Sequence, residues 1–314
     1  MKLHLEKTVF EELIKLTANE FKINPIFVEK DYWIILVLSR LAKSKYFDES
    51  VFKGGTSLSK GYNLIERFSE DVDIAIINDK DKTGNEIKTI IRTIEKEITP
   101  DLLELQIDGV TNKGSKFRKS VFEYMSTDKS NQNNKLIVEI NSFANPFPFQ
   151  RLTIKSFLFD FLMQTDNEKY IEQYDLQSFE VNVLSKEQTL LEKTVSLIRF
   201  SFEENTVESI SKKIRHFYDL YFLMNNPECA EFVASDSFKK QFDTILQHDR
   251  AMFEEPKGWQ TKMVSESLLF NNFPTIWKQL KEKYQTELSA LAYRPIPDEE
   301  NVAKYFEELL KRIQ

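Results

Sequence analysis

Residues 53–76 read Lys-Gly-Gly-Thr-Ser-Leu-Ser-Lys-Gly-Tyr-Asn-Leu-Ile-Glu-Arg-Phe-Ser-Glu-Asp-Val-Asp-Ile-Ala-Ile and hold the side chains that phosphate and metal chemistry need. Gly54 and Gly55 follow a short apolar strand candidate. A pair without side chains lets backbone N–H groups come close to a phosphate. Asp71 and Asp73 alternate around Val72, which puts both carboxylates on one face of a strand. Paired aspartates suit a divalent cation, and magnesium in particular combines oxygen ligands with nucleotide phosphates. Taken singly, Gly-Gly is turn punctuation and Asp-x-Asp is often a solvated strand end. Together they weigh more, because three of the seven glycines, Gly54, Gly55 and Gly61, fall here. Residues 74–77 continue as a buried strand, with Val72 pointing inward between the acids. A further acid, Glu139, interrupts the apolar run Lys135-Leu-Ile-Val-Glu-Ile-Asn141. It is either paired, or bound to metal, or turned to water from an edge strand. A third carboxylate is what an Asp-x-Asp pair needs to hold two ions.

The elements that would position these groups can be read around them. Residues 9–18 and 25–41 are apolar-periodic and predict helices, with Asn24 as a cap before Pro25 at the first helical position. Strands are expected at 50–53, 71–77, 103–110, 117–125 and 136–143, with a helix over 84–97 and a polar hairpin connection at 128–134. From Ser185 the pattern turns helical. Ser185 and Gln188 resemble a capping box for a helix whose apolar face holds Leu191, Val195 and Ile198, with Lys193 off that stripe. One helix is expected over 208–225, with Ile210, Ile214, Phe217, Tyr221 and Met224 on one face. Lys212, Arg215, His216 and Asp219 share the other, as a solvated surface or as the wall of a cleft. Residues 231–314 read as helical, with the break at Arg294-Pro-Ile-Pro-Asp298 before a last helix.

With 314 residues and 41% apolar content, the chain is ordinary for a globular protein, and two domains are expected. No membrane span or signal segment is visible, which points to the cytoplasm. One cysteine excludes an internal disulfide, and three scattered histidines make zinc a poor fit, so any metal falls to carboxylates. The net charge of −7 does not favour nonspecific attraction to nucleic acid, although Lys113, Lys116, Arg118, Lys119 and Lys212, Lys213, Arg215, His216 form two basic segments.

Glu29-Lys30-Asp31-Tyr32-Trp33, Lys53-Gly-Gly-Thr-Ser57, Arg67-Phe-Ser-Glu-Asp-Val-Asp73, Glu192-Lys193 and Arg215-His-Phe-Tyr-Asp-Leu220 together resemble the AbiEii/AbiGii-type nucleotidyltransferase toxins, from about residue 25 to the C-terminus. The resemblance implies an α+β fold. A polymerase-β-like nucleotidyltransferase domain with a mixed sheet would span 1–184, an α-helical domain 185–314, and the active site the cleft between them. Carried over to this sequence, Lys53, Gly54, Gly55, Thr56, Ser57, Ser69 and Lys193 would bind the nucleotide. Asp71, Asp73 and Glu139 would hold two Mg2+ ions, and Lys193 and Asp219 would complete the catalytic set. The fifteen residues between Gly55 and Asp71 are wider than in minimal nucleotidyltransferases, and His216 stands where many relatives have aspartate. The implied reaction moves a nucleoside monophosphate from an NTP to a hydroxyl of the tRNA acceptor end, in a toxin that has a cognate antitoxin. The same site chemistry serves a small-molecule or protein hydroxyl, or nucleotide binding without turnover.

Overall fold

The computed structural model describes residues 2–69, 71–78, 82–128 and 134–314, so Glu70 and most of the expected 128–134 connection lie outside the described residues. The chain divides into two compact units. The first takes in Phe68–Leu184 and the chain up to Asn63, and the second takes in Leu64–Arg67 and Ser185–Gln314.

The first unit opens with α1 (Lys7–Phe21) and α2 (Pro25–Ala42). The Asn24 side chain accepts from Ile26 N at 3.0 Å, and Pro25 occupies the first turn of α2. Then follow β1 (Ser50–Lys53), α3 (Gly54–Lys60), β2 (Asp71–Ile76) and α4 (Gly84–Ile98), the last opened by a reciprocal capping box between Thr83 and Glu86. β3 (Leu103–Leu105), β4 (Asn112–Lys113), β5 (Phe117–Glu123), β6 (Lys135–Asn141), β7 (Phe149–Ile154), α5 (Phe157–Gln164), α6 (Lys169–Gln173) and β8 (Phe179–Leu184) complete it. The sheet runs β3-β5-β6-β2-β1-β8-β7, with β4 beside β5. It is mixed: β2 pairs parallel with β6 and β1 with β8, and the other pairs are antiparallel.

Strand alternation gives this sheet two different faces. Val72, Ile74 and Ile76 of β2 and Leu136, Val138 and Ile140 of β6 are fully buried. On that same face Arg118 and Ser120 of β5 reach Glu95 of α4, Arg118 Nε donating to Oε2 at 2.8 Å and Ser120 Oγ to Oε1. The opposite face carries Asp71, Asp73 and Glu139. Asp31, buried in α2, joins three helices: its Oδ1 lies 2.7 Å from Lys60 Nζ at the end of α3, and its Oδ2 accepts from Phe157 N at 2.8 Å. Glu29 accepts from Ser126 Oγ and Thr127 N, at 2.7 and 2.6 Å. The Glu29–Trp33 turn is therefore a buried tertiary junction.

In the second unit come α7 (Lys186–Phe200), α8 (Thr206–Ser211), α9 (Ile214–Asn225), α10 (Pro227–Ala234), α11 (Ser237–Met252), α12 (Leu268–Asn271), α13 (Phe273–Leu291) and α14 (Glu299–Ile313). Phe217, Phe273, Trp277 and Phe306 make its aromatic centre, with ring centroids 4.8 to 6.0 Å apart. The Leu64–Arg67 segment is tied into this unit: Tyr293 N donates to Glu66 O, Tyr293 OH to Ile65 O, and Glu66 N to Tyr218 OH.

Three sequence expectations change here. The expected strand 103–110 stops at Leu105, because Ile107 to Thr111 close a turn through Gly109 at φ +75°. The expected helix 208–225 is two, broken at Lys212–Lys213, and the break resets the helical phase so that α9 buries Tyr218, Asp219 and Leu220. Of the capping box at Ser185, one half forms: Ser185 Oγ accepts from Gln188 N at 3.1 Å, while Gln188 Nε2 meets no partner among the described residues. Strands β7 and β8 and helix α5 had no counterpart in the sequence reading. Among the described residues no helix is long and apolar enough to cross a membrane.

Candidate active site

In the first unit the acids form a line across the sheet. Lys53 of β1 is in register with Asp73 of β2, Asp73 with Glu139 of β6, and Glu139 with Lys119 of β5, while Asp71 shares the face two residues from Asp73. Four neighbouring strands thus present cation, anion, anion, cation at one level. β6 lies between β2 and β5, so the edge-strand explanation of Glu139 does not hold. Its Oε2 is 3.4 Å from Lys119 Nζ.

Burial, together with the neighbouring Glu139 and Asp71 carboxylates, holds the Asp73 carboxyl well above the usual carboxylate range, against the opposing pull of Lys53 and Lys119. Among the described residues no three acidic, histidine or cysteine side chains already converge as a cation cage. What brings the acids together is backbone register. The donor set nevertheless suits an oxygen-seeking divalent cation, because oxygens that repel one another at adjacent positions gain from a shared positive charge.

The glycine segment lies against this row. Gly54 has φ +81°, and a Cβ placed there would lie 2.1 Å from Asp73 Oδ2, so only glycine lets β1 turn into α3 this close to the carboxylate. Thr56 Oγ1 donates to the Asp71 carbonyl, and Ser57 Oγ donates to Gly54 O at 2.9 Å. Both hydroxyls thus hold the segment in place, Thr56 fixing the entry to β2, and Gly55, Thr56 and Ser57 are buried. Ser69 is buried just ahead of β2. Gly54→Ala should lower folding stability by about 1–3 kcal/mol through backbone strain alone. The collision with Asp73 adds to that, and nucleotidyl transfer should fall at least about tenfold with it. Denaturant midpoints and a transfer assay on the same preparation check this, and a variant as stable and active as the parent would show that the close approach has no role.

In the second unit Lys193 of α7 and Asp219 of α9 meet, with Lys193 Nζ 2.8 Å from Asp219 Oδ2. Arg67 completes the group: its Nε donates to Asp219 Oδ1 and its second guanidinium nitrogen to Oδ2, both at 2.7 Å. Asp219 is 0% exposed, so the polar face expected of this helix is interior at that position. Burial pushes the Asp219 carboxyl up, but Arg67 and Lys193 more than offset it and hold the group well below the usual range. His216 is half-buried. Desolvation first, then Lys193 and Lys213, push its imidazole well below its ordinary value, so it is neutral at neutral pH.

The structure thus gathers Lys53, Gly54, Gly55, Thr56, Ser57, Asp71, Asp73 and Glu139 in the first unit and Lys193 and Asp219 in the second. Sequence reasoning missed two participants. Arg67 stood inside a quoted motif without a role, and a basic residue followed by Phe68 carries no sign of a partner at position 219. Lys119 was read as part of a basic segment. The period-2 alternation of its strand could have separated it from Arg118, which faces α4. Nor are the two basic segments free cationic surfaces: Lys113 pairs with Glu104, Arg118 with Glu95, Lys212 with Glu208 and Arg215 with Glu287.

The site thus consists of a glycine-led helix packed on an acid-bearing strand of a mixed sheet. The model of the nucleotidyl transferase AbiEii toxin family, from type IV toxin–antitoxin systems, matches residues 36–312, and the chain belongs to this family. It is a nucleotidyltransferase toxin, and its family implies a cognate antitoxin. Among solved structures the chain is similar to the nucleotidyltransferase toxin MenT4 from Mycobacterium tuberculosis H37Rv, at 13% identity and a TM-score of 0.46, over 96% of this chain and 99% of that one. No curated protein matches the sequence.

Proposed function

We propose that the enzyme transfers a nucleoside monophosphate from an NTP to a hydroxyl of RNA, at the acceptor end of tRNA, with Asp71, Asp73 and Glu139 as the ligands of two Mg2+ ions. The observation that carries this reading is the register that sets Asp73 beside Glu139 and against Gly54. Bound magnesium would activate the hydroxyl and neutralise charge on the departing pyrophosphate. The chain's own groups do the rest. The backbone from Gly54 to Ser57, with Lys53 at the end of β1, seats the triphosphate. Thr56 fixes the start of β2 and with it the level of both aspartates. In the second unit Asp219, closed off from solvent, fixes the Lys193 amine and is a positioning residue for that cation. The acceptor oxygen bonds to the α-phosphorus as the bond to pyrophosphate breaks, and the Glu139 carboxylate takes the acceptor's proton.

The test is incubation with each labelled NTP and magnesium, in the presence of deacylated tRNA, total protein or small hydroxyl compounds. Label is expected in tRNA with release of pyrophosphate, and it should vanish in Asp71→Ala and Lys193→Ala, both folded by circular dichroism. Label confined to protein or to small molecules would overturn the RNA acceptor. Full activity in both variants would overturn the site.

A further inference from the structure

We propose that Lys119 binds the acceptor through the phosphate next to its reacting hydroxyl, an inference that rests on the RNA reading above. Lys53, Asp73, Glu139 and Lys119 follow one another across β1, β2, β6 and β5. Three strand spacings separate the two lysine backbones, about 14 Å. The triphosphate belongs to the Gly54 and Lys53 end. Attacking and leaving oxygens in phosphoryl transfer stand roughly in line, on opposite sides of the phosphorus. The acceptor oxygen therefore arrives from the Glu139 end, and Lys119 is the next cation beyond it.

Several observations fit Lys119 for this task. Its side chain is 31% exposed, and among the described residues it makes a loose ion pair of 3.4 Å with Glu139. An ammonium has three donors, so a phosphate oxygen can be added without giving up Glu139. Its neighbour Arg118 points to the other face of the sheet and is bound to Glu95, so within this strand the cation on the acid side is Lys119. The terminal nucleotide of an RNA strand carries a phosphodiester a few bonds from its 3′ hydroxyl. A neutral small-molecule acceptor brings no such anion, so the lysine would favour nucleic acid over it.

The experiment uses the full chain with deacylated tRNA. For Lys119→Gln, tRNA affinity by fluorescence anisotropy should fall about tenfold, and the slope of log affinity against log salt should shrink by about 0.7, the loss of one phosphate contact to a single strand. The KM for tRNA should rise in proportion while the KM for NTP stays within about twofold, and Lys119→Arg should restore binding. A second measurement needs no variant: a short RNA whose last linkage is a neutral methylphosphonate should show the same rise in KM with the unaltered protein, and no further rise with Lys119→Gln. Unchanged tRNA affinity and salt slope in Lys119→Gln, or full use of the methylphosphonate acceptor, overturns the proposal. If the unaltered protein labels no RNA at all, it is the RNA reading that fails, and the two failures are told apart by that control.

Discussion

Asp73→Asn is expected to reduce nucleotidyl transfer by about a thousandfold or more, the scale at which a single charge-stabilising group in an active site acts, while the metal-free protein stays as stable as the parent or becomes more so. The pairing of these two effects is what makes the result diagnostic. Asparagine keeps the shape of the side chain against Gly54, where the distance to a Cβ leaves no slack. It removes a charge that burial and the adjacent Glu139 and Asp71 carboxylates disfavour. A residue retained at a cost in folding energy marks a functional site. The thermal midpoint without divalent cations should hold or rise by a few degrees. A clear drop would make Asp73 a structural hydrogen-bond acceptor instead, and near-full transfer would remove it from the chemistry.

The second large effect has the opposite character. Asp219→Asn removes the buried charge that Arg67 and Lys193 share, and removing one partner of such a network costs about 3–5 kcal/mol. A free carboxyl titrates near 3.9, whereas in the folded protein Asp219 is held well below that by its two cations. Below the unfolded value the denatured chain takes up the proton first. The contribution of Asp219 is therefore fully present above about pH 4 and fades as the pH falls through the lower folded value. Urea titrations of the two proteins should differ most at neutral pH and converge in strong acid. A constant difference from pH 7 to pH 3 would show that the carboxylate charge is not what holds Arg67 and Lys193. Transfer should also fall in Asp219→Asn, since Lys193 loses the contact that fixes its amine.

The two acid groups were legible to different degrees. Asp71 and Asp73 could be read because a period of two on one strand is a local rule, and Val72 between them is fully buried as that rule requires. The glycine pair could be read because backbone freedom is local as well, and Gly54 uses it at a positive φ. Glu139 was ambiguous, since one strand's sequence does not say whether it lies at an edge or in the middle of a sheet. Its place between β2 and β5 comes from pairing with Asp73, 66 positions earlier, and Lys119, 20 positions earlier in the chain. Asp219 was misjudged as part of a polar helix face because the break at Lys212–Lys213 carries neither glycine nor proline to announce it. Strands β7 and β8 escaped notice for a related reason: on β7, Gln150, Arg151 and Thr153 are exposed and the apolar alternation is faint.

By itself the sequence determined which groups are available: a glycine-led turn, two aspartates on a common face, a supply of lysines and acids that suits phosphate chemistry, and a single cysteine that excludes an internal disulfide. The tertiary structure decided who stands next to whom. It put Lys53, Asp73, Glu139 and Lys119 in one line, turned Arg118 away from that line, and closed Asp219 between Arg67 and Lys193. The reason is physical: side-chain periodicity is set within a few residues, whereas strand register and the pairing of buried charges are set by packing between segments far apart in the chain.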